Sequence, residues 1–363
     1  MKRIDFNSHH FNNLNPENDF EKKVLNFLQE WFSDSKCVKV QTSGSTGVPK
    51  IFEIGKEQMS FSARMTCDFL GLKEGDTALL CLPVEYISGK MMAVRSIERK
   101  LNLFVQNPSV NPLTYLNECI DFCAMTPLQV ENSLDKIHFI KNLIIGGAAV
   151  SESLKAKISQ TLKSSENQTR IFETYGMSET LSHIALKRIF PDAEEWFTVF
   201  DGVEITLDER GCLNIFAPNL NSAKLQTNDL VEIKNQKQFR FLGRLDNVIN
   251  SGGSKIYPEE LEAIAKKEIE NELVFLGISD ESLGQKLVLV IEGKENEDLI
   301  NKIRNLKFEK SFYQPKEIIF IEAIARTPNG KINRRQLLQQ ILTKPSKFQR
   351  NFDIPPKEEN LEK

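Results

Sequence analysis

The sequence predicts an α/β protein: a large layered α/β N-terminal domain with mixed sheets, and a small α+β C-terminal domain on a hinge. Three observations lead there. From about residue 37 to 176, short apolar stretches of strand character alternate with amphipathic stretches of helical spacing, the pattern of strands joined by crossover helices. After about 195 the texture changes to period-two alternation with Gly punctuation in FDGVEITLDERGCLNIFAPNL, a run of antiparallel strands. From 246 onward, helical and strand-like stretches alternate again over about 100 residues, a plausible length for a small domain. The boundaries expected are 1–245, 246–344, and a charged, Pro-bearing, weakly ordered tail over 345–363.

The elements follow in order. FEKKVLNFLQEWF places its apolar residues at helical spacing. Residues 37–41 and 51–54 alternate apolar and polar, two short strands on either side of QTSGSTGVPK. KEQMSFSARMTCDFLGL reads as a helix ended by Gly71, and DTALLCLPVEY as a buried strand. MMAVRSIERK, LNLFVQ, PLTYLNECI, DFCAMT and PLQVENSL continue the alternation of helix and strand. KNLIIGG is a strand, and Ser151 with Glu152 opens a helix running to about Lys163. RIFETYGMSET is a strand that runs into a polar turn. Beyond 246, YPEELEAIAKKE and NEDLINKIRNL read as helices, and NELVFLGISD, QKLVLVIEG and KEIIFIEAIA as strands.

Composition narrows the function. A net charge of −3 gives no electrostatic case for nucleic acid or an anionic membrane. No apolar run approaches the roughly 20 residues that span a bilayer, and MKRIDFNSHHFNN lacks the apolar core of a signal peptide. The six cysteines form no CxxC pair, and only Cys119 and Cys123 have the spacing of one helix face. Reduced thiols in a cytoplasmic protein, without a zinc site, are expected. Homo-oligomerisation stays open.

The chemistry concentrates in five segments. In QTSGSTGVPK, residues Thr42, Ser43, Gly44, Ser45, Thr46, Gly47 and Lys50 supply backbone N–H groups, hydroxyls and an ammonium, a set suited to phosphate oxygens. It is not a Walker loop, because Pro49 stands five residues after Gly44 and Ile51 follows Lys50. No GxGxxG follows a strand. Tyr175 offers a flat ring for a base, Ser178 and Thr180 offer hydroxyls for a phosphate, and Glu179 offers an oxygen ligand for Mg²⁺. Asp229, at the start of a strand, could accept both ribose hydroxyls. GRLDNVINSGGSKIYPEELE brings Arg244, a turn at Asp246 and a Gly252-Gly253 pair, and RTPNGKINRRQL sets Lys331 after a Pro-Asn-Gly turn. Each has an ordinary alternative: a capped turn, a turn Asp, an interdomain linker, a solvated Lys.

Together TSGSTGVPK, YGMSET, TND, GRLDNVINSGGSKIYPEE and PNGKI resemble, in order, the motifs of the adenylate-forming acyl-CoA synthetase superfamily. LPVEYISGKMMAVRS, IIGGAAVS and YGMSETLSHIALKRI look most like its o-succinylbenzoate–CoA ligases of menaquinone biosynthesis. The resemblance implies ATP, Mg²⁺ and CoA as cofactors and co-substrates, a small-molecule acid, and an acyl-adenylate intermediate.

It also implies roles. Lys331 bridges acid and α-phosphate, Ser178 or Thr180 holds the α-phosphate, and Glu179 holds Mg²⁺. Tyr175 flanks adenine, with Gly176, Gly147 and Ala148 beside the nucleotide. Asp229 and Arg244 hold the ribose, and residues 43–50 take the β- and γ-phosphates. Asp246 matches the hinge, and Ser251, Gly252 and Gly253 move toward the pantetheine tunnel. Lys90, Arg95, Ser182 and His183, beside the subgroup-like motifs, are candidates for the acid's distal carboxylate. Their alternatives are exposed helix charges and a core histidine.

The chain departs from the family in a short region ahead of the phosphate loop, in Ser178 where Thr is usual, and in Asn228 in place of Gly. Another aryl- or fatty-acid–CoA ligase, an adenylation enzyme that loads a carrier protein, and a non-enzymatic nucleotide binder remain as rival expectations.

Overall fold

The computed structural model describes residues 2–6, 15–41, 51–163, 168–326, 332–343 and 350–351. The expected phosphate loop, residues 42–50, and Lys331 lie outside the described residues. The chain forms two compact units, Met1–Thr227 with Val231–Phe241, and Asn228–Leu230 with Leu242–Lys363.

In the first unit the chain runs β1 (Lys2–Asp5), α1 (Asp19–Trp31), β2 (Cys37–Gln41), β3 (Ile51–Gly55), α2 (Lys56–Leu70), β4 (Thr77–Leu80), α3 (Ile87–Glu98), β5 (Asn102–Val105), β6 (Ile120–Met125) and α4 (Pro127–Glu131). It continues through β7 (Ile140–Ile145), α5 (Glu152–Leu162), β8 (Arg170–Gly176), β9 (His183–Phe190), β10 (Phe197–Val199), β11 (Glu204–Leu207), β12 (Cys212–Ala217), β13 (Asn221–Asn235) and β14 (Gln238–Arg244), of which Asn228–Leu230 and Leu242–Arg244 belong to the second unit. Apart from the β2–β3 hairpin, these strands form one sheet in the order β1-β5-β4-β6-β7-β8-β9-β10-β14-β13-β12-β11. Its β5-β4-β6-β7-β8 portion is parallel, and β8–β9 and β9–β10 are antiparallel. The fold class is α/β.

Alternation along the parallel strands explains their near-continuous apolar sequence. Ala78 and Leu80 of β4 and Phe122 and Ala124 of β6 enter one core with α2 and α3, while Leu79 and Cys123 enter a second core with α5. Both faces are covered, so both sets of side chains must be apolar. Start and stop signals act as the sequence predicts. Ser151 Oγ accepts from Leu154 N at 3.1 Å to open α5, and Gly71 ends α2 at φ +71°, a conformation glycine adopts without Cβ strain.

PLTYLNECI departs from the helical expectation. Residues 112–116 make a single turn, closed by Leu116 N to Leu113 O at 2.9 Å, with Leu113 and Leu116 buried and Tyr115 exposed. One turn does not repay helix nucleation; Gln129 and Ser133 bind the preceding loop instead, at Ser109 O and Asn111 Oδ1. Cys119 and Cys123 therefore share no helix face. Cys119 is exposed before β6, and Cys123 lies inside it with its Sγ 3.8 Å from Cys81 Sγ.

The second unit contains β15 (Ile249–Ser251), β16 (Ser254–Ile256), α6 (Pro258–Ala265), β17 (Leu273–Asp280), β18 (Gly284–Glu292), α7 (Glu297–Asn305), β19 (Glu317–Ile321), α8 (Arg334–Thr343) and β20 (Arg350–Asn351). The sheet order is β16-β15-β18-β19-β20, with β17 also on β18. β20 falls in the stretch expected to be a weakly ordered tail and pairs with β19. Arg334, at the start of α8, donates to Glu262 of α6 at 2.7 Å and to Phe275 O at 2.8 Å, fixing that helix onto α6 and β17. Among the described residues, no helix is long and apolar enough to cross a membrane.

Candidate active site

The carboxyl ends of β6, β7 and β8 lie side by side, the edge where open α/β sheets bind ligands. After β7, Gly146 N donates to Met125 O at 3.1 Å, and a Cβ on Gly146 would stand 2.7 Å from Thr174 Oγ1. A side chain there would fit only if Thr174 turned its hydroxyl away. Gly147, at φ +87°, and Ala148 are exposed just beyond. Ile145 pairs with Glu173, so the loop that holds Gly147 and Ala148 leaves β7 beside the end of β8 that carries Tyr175.

Tyr175 is half-buried against Phe239 (4.9 Å, 76°) and Phe197 (5.8 Å), which hold its ring from behind. Gly176 meets β9 so closely that a Cβ would lie 2.5 Å from His183 Cα. The next turn, Ser178–Thr180, exposes Ser178 and Glu179 and buries Thr180. Thr180 Oγ1 accepts from Met177 N at 3.0 Å and lies 2.8 Å from Ser182 O. Ser182 N donates to Thr180 O at 2.7 Å around Leu181, whose φ of +67° and ψ of −48° make a strained γ-turn. Of the two hydroxyls expected to hold a phosphate, that of Thr180 is thus committed to shaping the turn, and Ser178 presents the open one.

Behind this turn lies a buried polar chain. Arg95 on α3 is 2% exposed, and its Nη2 donates to Ser182 Oγ at 3.0 Å. Ser182 Oγ is 3.4 Å from His183 Nδ1, and His183 Nε2 is 3.0 Å from Thr66 Oγ1, which donates to Ser62 O. One consistent order of protons runs Arg95 to Ser182 to Nδ1, then Nε2–H to Thr66; the tautomer is assigned from this network. Burial, then the Arg95 charge, push His183 well below the usual histidine range, so it is neutral. Burial lowers Arg95 to about 10, still charged at neutral pH. Its Nε has no hydrogen-bond partner among the described residues, and no carboxylate there pairs with it.

The four acid-binding candidates therefore separate. Arg95, Ser182 and His183 come together. Lys90 is buried elsewhere, with its Nζ over the Phe27 ring at 4.2 Å and 3.9 Å from Glu30. Neither Lys90 nor Arg95 is an exposed helix charge.

In the second unit Asp229 is buried and lies inside β13 rather than at its start. Arg244 bridges Asp229, at 3.4 Å, and Asp246, at 3.0 Å, and Asn228 donates to Asp246 at 3.1 Å. Asp246 sits in the exposed turn Leu245–Asn247. Gly252 and Gly253, at φ +54° and +79°, form the two-residue turn between paired Ser251 and Ser254, where both centres need positive φ.

The sequence profile of the AMP-binding enzyme family matches residues 32–202. Across 93% of this chain and 99% of the other, the structure resembles an acyl-CoA synthetase (AMP-forming)/AMP-acid ligase II-like protein of Dyadobacter fermentans, at 35% identity and a TM-score of 0.63. The chain belongs to the AMP-binding enzyme family. The 2-succinylbenzoate–CoA ligase of Listeria monocytogenes is 25% identical to it over 89% of this chain and 74% of the relative. The Bacillus subtilis o-succinylbenzoate coenzyme A synthetase, solved with ATP and magnesium, shares the fold at 20% identity and a TM-score of 0.67, over 82% of this chain and 69% of that one.

For an AMP-binding enzyme the donor set at the β8 turn suits a phosphate-bound Mg²⁺. Glu179 is exposed, and its carboxylate has no partner among the described residues. Mg²⁺ commonly takes one or two carboxylates and completes its shell with water and substrate phosphates. Among the described residues no cluster of three His, Cys, Asp or Glu could hold a metal without substrate. Sequence reasoning missed Thr66 and Glu173. The one available signal was a charged residue within the apolar strand RIFETYG.

Proposed function

We propose that this AMP-binding enzyme is an ATP-dependent acid–CoA ligase that makes o-succinylbenzoyl-CoA from o-succinylbenzoate, ATP and CoA, in the cytoplasm, as a step of menaquinone biosynthesis. The observation that carries the choice of acid is Arg95. A buried guanidinium without a carboxylate partner is costly, and it gains one if the substrate brings a second carboxylate. Ser182 accepts from Arg95 and donates to neutral His183, so these two hold the guanidinium in place without adding charge.

In this reading the aliphatic carboxylate of the acid attacks the α-phosphorus of ATP. The new O–P bond forms as the bond to pyrophosphate breaks. Ser178 holds the α-phosphate, Tyr175 and the loop of Gly147 and Ala148 flank adenine, and Gly176 keeps the turn close to β9. Glu179 would hold Mg²⁺, which would supply positive charge to the phosphates. Residues 42–50 grip and release the leaving group, and Lys331 bridges the two reacting anions. Asp229 and Arg244 hold the ribose; Arg244 and Asp229 form an ion pair that presents one carboxylate and one guanidinium together. The CoA thiolate then attacks the acyl carbonyl and AMP leaves, with Asp246 as the hinge between half-reactions and the Ser251, Gly252 and Gly253 turn beside the pantetheine arm.

Pyrophosphate release by the purified protein with ATP, Mg²⁺ and one acid at a time tests the proposal. Release with o-succinylbenzoate well above that with benzoate or a fatty acid is expected. Equal release with a fatty acid contradicts the choice of acid, and release with no acid contradicts the reaction class.

A further inference from the structure

Glu173 is an anomaly in β8. Its neighbours Ile171 and Phe172 are buried and apolar, yet Glu173 is itself only 7% exposed. A buried carboxylate is unfavourable unless it is bonded and paired, and this one is both. Oε1 accepts from Val150 N at 3.0 Å, which fixes the end of the loop of Gly147 and Ala148. Oε2 lies 3.0 Å from Lys187 Nζ on β9 and 3.8 Å from Lys155 Nζ on α5.

Lys187 carries the connection further. Its ammonium sits 4.4 Å from the centre of the Phe197 ring, and Phe197 stacks on Phe239 at 5.5 Å. Both rings back Tyr175. Glu173 and Tyr175 are two residues apart on one strand and so share a face of the sheet. One carboxylate therefore holds the loop on one side of Tyr175 and, through Lys187, the aromatic support on the other.

We infer that Glu173 is a positioning residue that sets the slot between Tyr175 and the Gly147-Ala148 loop to the thickness of a purine ring, and so governs nucleotide affinity and base preference. The inference rests on the proposed function in taking those two features as the walls around adenine. A residue that only stabilised the fold would lower the melting temperature and leave the preference among bases alone.

The test is the calorimetric Kd of Mg·ATP and of Mg·GTP for the full-length wild type and for Glu173→Leu, Glu173→Gln and Lys187→Met. Removing a charged hydrogen-bond partner predicts about a tenfold or larger loss of ATP affinity in Glu173→Leu, a smaller loss in the other two, and a fall in the ATP-over-GTP ratio in all three. If Glu173→Leu does not fold, Glu173→Gln and Lys187→Met decide. Folded variants within twofold of wild type in ATP affinity and in the ratio overturn the inference. A wild type that binds ATP with this dependence on Glu173 but releases no pyrophosphate with any acid contradicts the proposed function alone. A wild type that binds neither nucleotide overturns both.

Discussion

Arg95 Nη2 lies 3.0 Å from Ser182 Oγ, joining two residues 87 positions apart in the chain where the guanidinium is buried with no acidic partner among the described residues. If that guanidinium receives the acid's second carboxylate, Arg95→Met raises the Michaelis constant for o-succinylbenzoate by about 10- to 100-fold, the worth of a charged hydrogen bond. The constant for ATP stays nearly unchanged. Arg95→Lys recovers only part of the loss, because an ammonium lacks the planar fork. Steady-state kinetics against each substrate check this; parallel rises for acid and ATP would remove Arg95 from the acid pocket.

Ser178 and Thr180 differ in what their hydroxyls touch: that of Thr180 shapes its turn and that of Ser178 is open. Thr180→Val removes the acceptor of the part-buried Met177 N–H and should cost about 1 kcal/mol of stability. Ser178→Ala leaves stability within experimental error and lowers adenylation, since its hydroxyl is open. Thermal unfolding beside pyrophosphate release resolves the two. A stable Thr180→Val enzyme with slowed adenylation would reverse the assignment.

Much of this architecture can be read along the chain, because local rules govern it. Gly71 ends α2, Ser151 opens α5, and the apolar runs at β4, β6 and β7 announce strands covered on both faces. What escaped depends on distant contacts. Arg95 looks like an exposed helix charge because KMMAVRS shows no amphipathic period, and it shows none because Gly89 through Ser96 of α3 are all buried. Thr180 and Ser178 are alike as hydroxyls; only the γ-turn at Leu181 turns one inward. PLTYLNECI has apolar residues at helical spacing, but its loop is held by Gln129 and Ser133 from another segment.

His183 gives the protein a sign-definite response to pH. Its folded pKa is depressed well below 6.5 by burial and then by Arg95, so the unfolded chain takes up the proton first as pH falls. The stability it confers is complete above about pH 6.5 and declines below it, by at most about 1.4 kcal/mol per pH unit. Urea unfolding from pH 7.5 to 5 should show a steeper loss in wild type than in His183→Gln. Identical slopes would mean that His183 does not titrate on unfolding.

In the proposed mechanism Lys331 serves adenylation and not thioester formation. Lys331→Ala should lower acyl-adenylate formation by about 10² or more, as expected on removing one preorganised charge, while thioester formation from supplied acyl-adenylate persists. Rapid-quench assays of each half-reaction check it. Equal loss of both would refute a role confined to adenylation.

The claim that a second carboxylate is recognised is met most directly by a competition. Wild-type protein is given ATP, Mg²⁺ and CoA with equal amounts of o-succinylbenzoate and the analogue lacking its aryl carboxylate, and the two thioesters are measured chromatographically. Recognition by Arg95 predicts o-succinylbenzoyl-CoA in excess by about tenfold or more. Equal yields, or more of the analogue's thioester, would contradict it.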